Sequence, residues 1–160
     1  MPGEITIYTD GAASGNPGPG GYGVVLISGK HRLEKSRGFK LTTNNRMELM
    51  AVIDGLESLK IPGSRVTVYT DSRYVSDAVE KGWLFQWESK AFKKKKNQDL
   101  WIRFLKVYRM HKVRFVWIKG HASNPENELC DRLAVASSKS NNNEDDTGYV
   151  PGEENDDLFR

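Results

Sequence analysis

The sequence has a single cysteine, Cys130, and no long hydrophobic run. One cysteine excludes an internal disulfide and any zinc cluster built on several cysteines, so we interpret Cys130 as a small buried residue. Because neither a signal segment nor a bilayer-length apolar stretch is present, the sequence predicts a cytoplasmic protein. Its 160 residues, 38% hydrophobic and 10% aromatic, are sufficient for one folded domain.

Charge is divided unevenly along the chain. The whole sequence carries +3 at pH 7, but from position 141 onward one basic residue stands against seven acidic ones. Residues 1–140 therefore contain 23 basic and 14 acidic residues, a formal charge of +9. Such a basic body is typical of proteins that bind a polyanion. The acidic segment 141–160 lacks periodicity, which predicts a largely disordered tail.

Hydrophobic periodicity predicts the element order βββαβαα(α)βα, an α/β fold. Residues 4–10 alternate with a period of two and are expected to form the first strand, followed by a loop over 11–21. Helical spacing begins at Asn45 and stops before Pro62. The next strand is expected to pair parallel to the first. The prediction is a five-stranded mixed sheet, three antiparallel strands plus two parallel, with helices on both faces.

Two predicted strands end on the same tripeptide, Tyr-Thr-Asp, at Asp10 and Asp71. If these strands are parallel neighbours, both carboxylates emerge at the end of the sheet where ligands bind in such folds. Adjacent carboxylates repel each other unless a cation lies between them, and hard oxygen ligands suit Mg²⁺ or Mn²⁺. The repeat therefore predicts a divalent metal site. The alternative for each aspartate is a turn or capping role.

Three further polar residues each allow two interpretations. Glu48 follows Asn45 by three positions, which is the spacing of a capping box at a helix start. Asp131 lies in the last predicted helix, where a solvated face explains it as well as a metal site does. His121 lies in the loop before that helix. Histidine transfers protons near neutral pH, although most surface histidines have no such role.

Motifs along nearly the whole chain resemble bacterial type 1 ribonuclease H in their order and spacing. The resemblance covers about residues 4 to 149 and is carried by YTDGAASGNPGPGGYG, TTNNRMELMAVIDGLESL, VYTDSRYV, GW…W…NQDLW, WIKGHASNPENELCDRLA and EDDTGY. It implies a ribonuclease H-like fold. It also implies an enzyme that cuts the RNA strand of RNA/DNA hybrids internally and leaves 5′-phosphate and 3′-hydroxyl ends.

The resemblance assigns roles to the ambiguous residues. It implies that His121 assists proton transfer and product release. It implies Mg²⁺ as the cofactor, two ions with substrate, with Mn²⁺ as a substitute; hydrolysis by two metal ions needs no protein nucleophile. The implied metal ligands are Asp10, Glu48, Asp71 and Asp131.

The resemblance also places substrate contacts on both strands of the hybrid. Amides that donate and accept hydrogen bonds suit the RNA 2′-hydroxyl, and aromatic side chains among lysines suit the sugars and phosphates of the DNA strand. The implied RNA-strand contacts are Asn16, Asn44 and Asn45. The other implied substrate contacts are Thr43, Tyr74, Trp83, Trp87, Phe92 and Asn97.

We therefore expect a monomeric, Mg²⁺-dependent ribonuclease H with a catalytic domain over 1–140 and a dispensable acidic tail over 141–160. Two alternatives are another metal nuclease with the same carboxylates, resolvase-like or transposase-like, and a non-catalytic hybrid-binding module. Near the end of the tail, Leu158-Phe159 resembles short bacterial peptides that dock on replication proteins, which predicts a weak contact there. A solubilising tail is the alternative.

Overall fold

Five strands and five helices make up the part of the chain that the structure, a computed structural model, describes: residues 4–120 and 124–151. The strands are β1 (Glu4–Ala13), β2 (Gly18–Ser28), β3 (His31–Thr42), β4 (Arg65–Thr70) and β5 (Lys112–Trp117). The helices are α1 (Asn44–Glu57), α2 (Arg73–Glu80), α3 (Trp83–Ser89), α4 (Gln98–Tyr108) and α5 (Pro125–Ser138). Within those described ranges, no helix combines the length and apolar character needed to cross a membrane.

The strands form one mixed sheet in the order β3-β2-β1-β4-β5. β1, β2 and β3 pair antiparallel, whereas β4 pairs parallel to both β1 and β5. The helical crossover through α1 returns the chain to the edge of β1, as expected for a parallel neighbour. The predicted fold class is confirmed.

The hairpin of β1 and β2 is longer than the sequence predicts. Antiparallel pairing continues to Ala13, so the expected loop over 11–21 is mostly strand. Parallel pairing of β1 with β4 ends earlier, where Tyr8 lies opposite Tyr69. Asp10 therefore belongs to β1 but lies beyond the last position at which β4 pairs with its edge.

Helix α1 begins before the residue that the sequence suggests as its cap. Its N-cap is Thr43, whose backbone is extended and whose side-chain oxygen accepts a hydrogen bond from the backbone nitrogen of Arg46 at 3.3 Å. Asn45 already lies inside the helix. The capping box of Asn45 with Glu48 is therefore wrong, and the carboxylate of Glu48 has no role in capping α1.

Helices α1 and α5 cover opposite faces of the sheet. α1 packs on the face that includes Ile7, where a Cβ added to Gly55 would lie 3.0 Å from that side chain. On the other face, Gly21 and Gly23 leave room for α5. A Cβ added to Gly23 would lie 2.5 Å from the carbonyl oxygen of Cys130, so only a residue without a side chain permits this approach.

The main core lies between the sheet and helices α1 and α4. Trp101 and Phe104 of α4 meet edge to face with centroids 5.7 Å apart, and both are fully buried. Cys130, on α5, is also fully buried, and burial raises the pKa of its thiol to about 12. Its interpretation as a small buried residue is confirmed.

Residues 143–149 pack against the domain, so the expectation that the chain is disordered from 141 onward is wrong for this stretch. Glu144 forms a β-bridge to Phe39 of β3, and Nε of Arg37 donates to its carboxylate at 2.8 Å. Composition alone was misleading because an acidic segment orders when its carboxylates find specific cationic partners.

Two predictions fall on residues outside the described ranges. His121 lies in the gap over 121–123, before α5. The replication-protein contact at Leu158 and Phe159 lies in 152–160. Both stay predictions.

Candidate active site

Asp10 and Asp71 extend from neighbouring parallel strands at the same end of the sheet. β1 and β4 pair with Tyr8 opposite Tyr69, and the two rings stack with centroids 4.9 Å apart. Each aspartate follows its tyrosine by two positions, so the two side chains start from matching places on the strands. The repeated tripeptide therefore places two carboxylates side by side.

Helix α1 adds a third carboxylate. One oxygen from each of Asp10, Glu48 and Asp71 lies within 4.8 Å of the other two. This approach depends on Gly11, because a Cβ there would lie 2.5 Å from the backbone nitrogen of Glu48. The backbone of α1 thus packs directly against that of β1, and Glu48 reaches the two aspartates.

Burial and neighbouring acids disfavour the ionised forms of Asp10 and Glu48. Burial, followed by the charges of Asp71 and Asp131, raises the pKa of Asp10 to about 8. Burial and the charges of Asp10 and Asp71 also raise the pKa of Glu48 well above its usual value. Among the described residues, no hydrogen-bond partner reaches the buried Oε1 of Glu48. A divalent cation bound here would offset the repulsion between the carboxylates and would give Oε1 of Glu48 a partner.

Helix α5 places Asp131 beside Asp10. The helix begins as predicted, with Asn124 as its N-cap and Pro125 in its first turn. Asp131 raises the pKa of Asp10 through its charge and through a side-chain hydrogen bond. It does not belong to the group whose oxygens all lie within 4.8 Å of one another. The structure thus groups three of the four predicted ligands tightly and sets the fourth next to one of them.

Two residues that sequence reasoning did not single out support Asp71. The indole Nε1 of Trp117 donates to the carbonyl oxygen of Asp71 at 3.0 Å, while the guanidinium of Arg73 lies 3.9 Å from the indole ring. Gly120 faces the carboxylate, since a Cβ there would lie 3.0 Å from its Oδ2. The available signal was the position of Trp117 and Gly120 at the end of a strand predicted in the same sheet.

The asparagines predicted to contact the RNA strand meet at the start of α1. Oδ1 of Asn16 accepts a hydrogen bond from the backbone nitrogen of Asn44 at 2.9 Å. Oδ1 of Asn44 in turn accepts one from the backbone nitrogen of Ala13 at 2.5 Å. Asn45 lies next to them, in the first turn of the helix. The exposed side chains of Asn16 and Asn44 are therefore held together rather than scattered.

Thr43 and Asn97 both contact Arg46, a residue that sequence reasoning missed, and Tyr74 joins them through Asn97. Oδ1 of Asn97 accepts a hydrogen bond from Nη1 of Arg46 at 3.3 Å. Nδ2 of Asn97 donates to the hydroxyl of Tyr74 at 2.9 Å. Thr43 accepts from the backbone nitrogen of the same arginine. The three predicted contacts thus form one connected group.

The aromatic and lysine-rich segment forms α3 and the turn after it. Trp83 is 42% exposed, and Nζ of Lys81 lies 5.3 Å from its ring centroid. Trp87 lines a surface cavity of about 200 Å³ together with three lysines, among them Lys95, whose Nζ lies 5.1 Å from the Trp87 ring centroid. Phe92 is only 5% exposed and belongs to the core. It offers almost no surface to a substrate, and we leave it out of the proposed contacts.

Comparison with known families identifies this arrangement. The sequence profile of the RNase H family matches residues 2–139. The chain belongs to the RNase H family. Members of this family use divalent metal ions, which agrees with the carboxylate cluster at the end of the sheet.

Bacterial relatives extend the assignment over nearly the whole RNase H chain. Ribonuclease H of Trichodesmium erythraeum is 56% identical over 151 residues, which cover 91% of this chain and 96% of that protein. Ribonuclease HI of Synechocystis sp. is 51% identical over 154 residues, 92% of this chain and 96% of that protein. At this similarity the chain is a nuclease of the ribonuclease H type.

Solved structures show the same RNase H fold. LC9-RNase H1, a type 1 RNase H with the type 2 active-site motif, superposes with a TM-score of 0.79 at 28% identity, over 100% of this chain and 82% of that chain. LC11-RNase H1, solved in complex with an RNA/DNA hybrid, superposes with a TM-score of 0.64 at 28% identity, over 83% of this chain and 95% of that chain.

Gly11→Ala is expected to lower the turnover of this RNase H about a hundredfold, the cost of displacing a catalytic group by about 1 Å. A Cβ at position 11 would lie 2.5 Å from backbone atoms of Met47 and Glu48, so α1 must move away from β1. Steady-state cleavage measures the loss, and thermal melting verifies folding. Gly29→Ala is the control for backbone strain alone: its φ of +59° disfavours alanine, but its Cβ meets nothing within 4 Å, so at most its melting temperature should fall, while turnover should stay at the wild-type value. Normal turnover of a folded Gly11→Ala protein would contradict the role given to this contact.

Proposed function

We propose that this RNase H is an endoribonuclease that hydrolyses the RNA strand of RNA/DNA hybrids in the presence of Mg²⁺. The observation that carries the proposal is the cluster of Asp10, Glu48 and Asp71, whose oxygens lie within 4.8 Å of one another. Its ligands are all carboxylate oxygens, the type that Mg²⁺ prefers. The products would carry 5′-phosphate and 3′-hydroxyl ends.

Asp10, Glu48 and Asp71 would hold the metal, and Asp131 would complete the site from α5. Two Mg²⁺ ions bound there, or Mn²⁺ in their place, would activate the attacking water and stabilise the leaving 3′ oxygen. The protein's own contribution is to hold the carboxylates fixed. Pairing of β1 with β4 and the close contact at Gly11 do so.

His121 would transfer a proton and assist product release. The preceding residue, Gly120, faces the carboxylate of Asp71, which supports this proposal. A histidine changes its charge near neutral pH, as this role requires. The pH dependence of turnover in a His121→Ala protein reports on the assignment.

Asn16, Asn44 and Asn45 would recognise the RNA strand. A 2′-hydroxyl both donates and accepts hydrogen bonds, and a side-chain amide can do the same in return. The hydrogen bond from the backbone nitrogen of Asn44 to Oδ1 of Asn16 holds these two residues together at the start of α1, which supports a shared role. The hybrid complex of LC11-RNase H1, a protein of the same fold, supports this substrate class.

The DNA strand would pass over α3 and the start of α4. Trp83 and Trp87 would pack against sugars while neighbouring lysines neutralise phosphates. Thr43 and Asn97 would hold one phosphate together, with Tyr74 supporting Asn97. The formal charge of +9 on residues 1–140 favours such a polyanion.

We also propose that the protein acts as a monomer in the cytoplasm, during replication and repair. Every residue assigned to metal or substrate comes from one chain, so the site needs no second copy. Sedimentation of the hybrid-bound protein measures the stoichiometry, and one dimer per hybrid would contradict the proposal.

An assay with four labelled substrates tests the reaction. Hybrid, single-stranded RNA, double-stranded RNA and double-stranded DNA are each offered with Mg²⁺. We expect cleavage of the hybrid to be at least about a hundredfold faster than that of the others, because a site built to bind a hydroxyl rejects substrates that lack or misplace it. End analysis of the RNA products should show 5′-phosphates.

Each alternative has its own outcome in this assay. Cleavage of double-stranded DNA would indicate a resolvase-like or transposase-like nuclease with the same carboxylates. Binding of the hybrid without cleavage, at any Mg²⁺ or Mn²⁺ concentration, would indicate a non-catalytic binding module.

A further inference from the structure

Residues 143–149, which we call the C-terminal strap, pair with the outer edge of β3 at Glu144 and continue to Arg46 of α1. The backbone nitrogen of Glu144 donates to the carbonyl oxygen of Gly38 at 2.9 Å, and its own carbonyl oxygen accepts from the nitrogen of Lys40 at 2.8 Å. β3 is the outermost strand of the sheet, so the strap covers an edge that would otherwise present unpaired backbone groups. The strap is anchored by backbone pairing as well as by charge.

Arg46 connects the strap to helices α1 and α4. Its side chain is only 1% exposed, and its Nε and Nη2 donate to the carboxylate of Asp146 at 2.7 and 3.0 Å. Nη1 and Nη2 also donate to Asp99, at 2.9 and 2.7 Å. Burial opposes the charge of the guanidinium, but the two carboxylates outweigh it and raise the pKa of Arg46. These two bidentate ion pairs hold the guanidinium in a single orientation.

The same arginine contacts both members of the proposed phosphate pocket. Its backbone nitrogen donates to Oγ1 of Thr43, and its Nη1 donates to Oδ1 of Asn97, each at 3.3 Å. Asp146 adds a link of its own by accepting from the hydroxyl of Thr42 at 2.7 Å. The hydroxyl hydrogen of Thr43 and the second amide hydrogen of Asn97 are not used in these bonds, and although Asn97 is only 7% exposed, one polar hydrogen needs much less open surface to reach a phosphate than the ring of Phe92 needs to pack on a sugar.

We infer that Arg46 and Asp146 are positioning residues for a phosphate of the DNA strand, and that the strap belongs to the substrate-binding domain. The inference rests on the proposed function, because it takes Thr43 and Asn97 as the groups that hold this phosphate. Without the charge of Asp146, the guanidinium would be drawn toward Asp99, and the amide of Asn97 would lose its fixed donor. A deletion of 141–160 would then weaken substrate binding, contrary to the expectation from sequence.

Asp146→Asn tests the inference because it keeps the side-chain shape and removes the charge. We expect the KM for the hybrid to rise about tenfold, the cost of weakening a charged hydrogen bond, with kcat changed by less than about twofold. The Kd, measured in an inactive Asp10→Asn background, should rise by the same factor. The slope of log K against log salt concentration should not become shallower, because the hydroxyl and the amide that would be lost from the phosphate are neutral and only cationic contacts release counterions.

Two control variants separate positioning from general loss of stability. Asp145→Asn makes the same change one residue earlier, on a side chain that is 76% exposed and lies 3.7 Å from Lys40. Asp54→Asn disturbs another buried polar group, since Asp54 accepts from the hydroxyl of Tyr22 at 2.5 Å. Both should keep the wild-type KM, Kd and salt slope at temperatures where they are folded.

A double-mutant cycle shows whether Asp146 acts through Asn97. In an Asn97→Ala protein, Asp146→Asn should raise Kd by less than about twofold, because the group that it positions is already gone. An unchanged Kd in the Asp146→Asn single variant, with only its melting temperature lowered, would overturn the inference and leave the strap a purely structural element.

A second variant carries the test if Asp146→Asn does not fold. A Cβ in Gly148→Ala would overlap Oδ2 of Asp99 and lie 2.7 Å from Nη2 of Arg46, so it crowds the same ion pair without removing a charge. It should raise Kd in the same way, and a wild-type Kd would overturn the inference. Failure of the proposed reaction is distinguishable: binding without cleavage refutes the reaction alone, whereas absence of hybrid binding refutes both.

Discussion

Asp10→Asn is expected to lower the rate of RNA-strand hydrolysis at least about a thousandfold, since bound metal contributes several kcal/mol to the transition state and each 1.36 kcal/mol is tenfold in rate. Asp10 has the central place in the site. One of its oxygens lies within 4.8 Å of Glu48 and Asp71, and Asp131 is beside it. Asparagine keeps the size of the side chain but replaces a charged ligand by a neutral one, which holds Mg²⁺ poorly.

Single-turnover cleavage of a labelled hybrid measures this loss, and fluorescence anisotropy measures the affinity that remains. The Kd of Asp10→Asn should stay within about threefold of wild type, because the lysines and tryptophans proposed to contact the DNA strand, rather than the carboxylates, dominate binding to a polyanion. Asp145→Asn is the control, the same substitution on an exposed acid. A rate above about one tenth of wild type would remove Asp10 from the catalytic site.

The same substitution is expected to stabilise the protein when metal is chelated. Burial and two neighbouring acids raise the pKa of Asp10 from 3.8 to about 8 in the folded state. Between these values the folded protein binds more protons than the unfolded chain, so the free energy of unfolding of the wild type falls as pH rises from about 4 to about 8. Glu48, whose pKa is also raised, contributes in the same direction.

The asparagine side chain of the Asp10→Asn variant does not titrate and escapes this penalty. In a chelator at pH 8, the variant should therefore exceed the wild type by on the order of 3 kcal/mol, or about 10 °C in melting temperature for a chain of this size. The difference should shrink toward pH 4, where the wild-type carboxylates become protonated. Saturating Mg²⁺ should stabilise the wild type more than the variant, because bound metal offsets the repulsion.

Thermal melting across this pH range, with chelator or with Mg²⁺, provides the measurement. Asp145→Asn should melt within about 2 °C of the wild type at every pH, as expected for an exposed acid. Equal melting temperatures of Asp10→Asn and wild type at pH 8 in chelator would show that the folded site does not carry the repulsion assigned to it.

The carboxylate pair illustrates what a sequence pattern predicts well. A strand preceded by a helix can pair parallel to an earlier strand, so two identical strand endings were expected at one end of the sheet. The pairing of Tyr8 with Tyr69 confirms this, because both aspartates follow at the same offset. Such a prediction needs only the periodicity of short sequence segments and the general rules of sheet topology.

The third and fourth carboxylates were not decided by residue patterns. From residue patterns alone, Glu48 was interpreted as a capping residue. The structure shows instead that Thr43 caps α1 and that Gly11, which has no side chain, allows the helix to pack directly against β1. Asp131 could equally be interpreted as a solvated helix residue. In the structure Gly23 allows α5 to pack close to the sheet, and Asp131 therefore lies beside Asp10. The resemblance to ribonuclease H named both residues before packing supplied a physical reason.

The class of fold, the paired aspartates at one end of the sheet and the basic charge suited to a nucleic acid could all be predicted from residue patterns, because periodicity, strand endings and charge are local properties. Packing in three dimensions was needed to show that the acidic strap is part of the domain, that Phe92 belongs to the core and that Arg46 joins Asn97 to Asp146. The partners of Arg46 lie 51 and 100 residues away along the chain. Tertiary packing determines which groups a buried charge pairs with, so no stretch of consecutive residues predicts its partners.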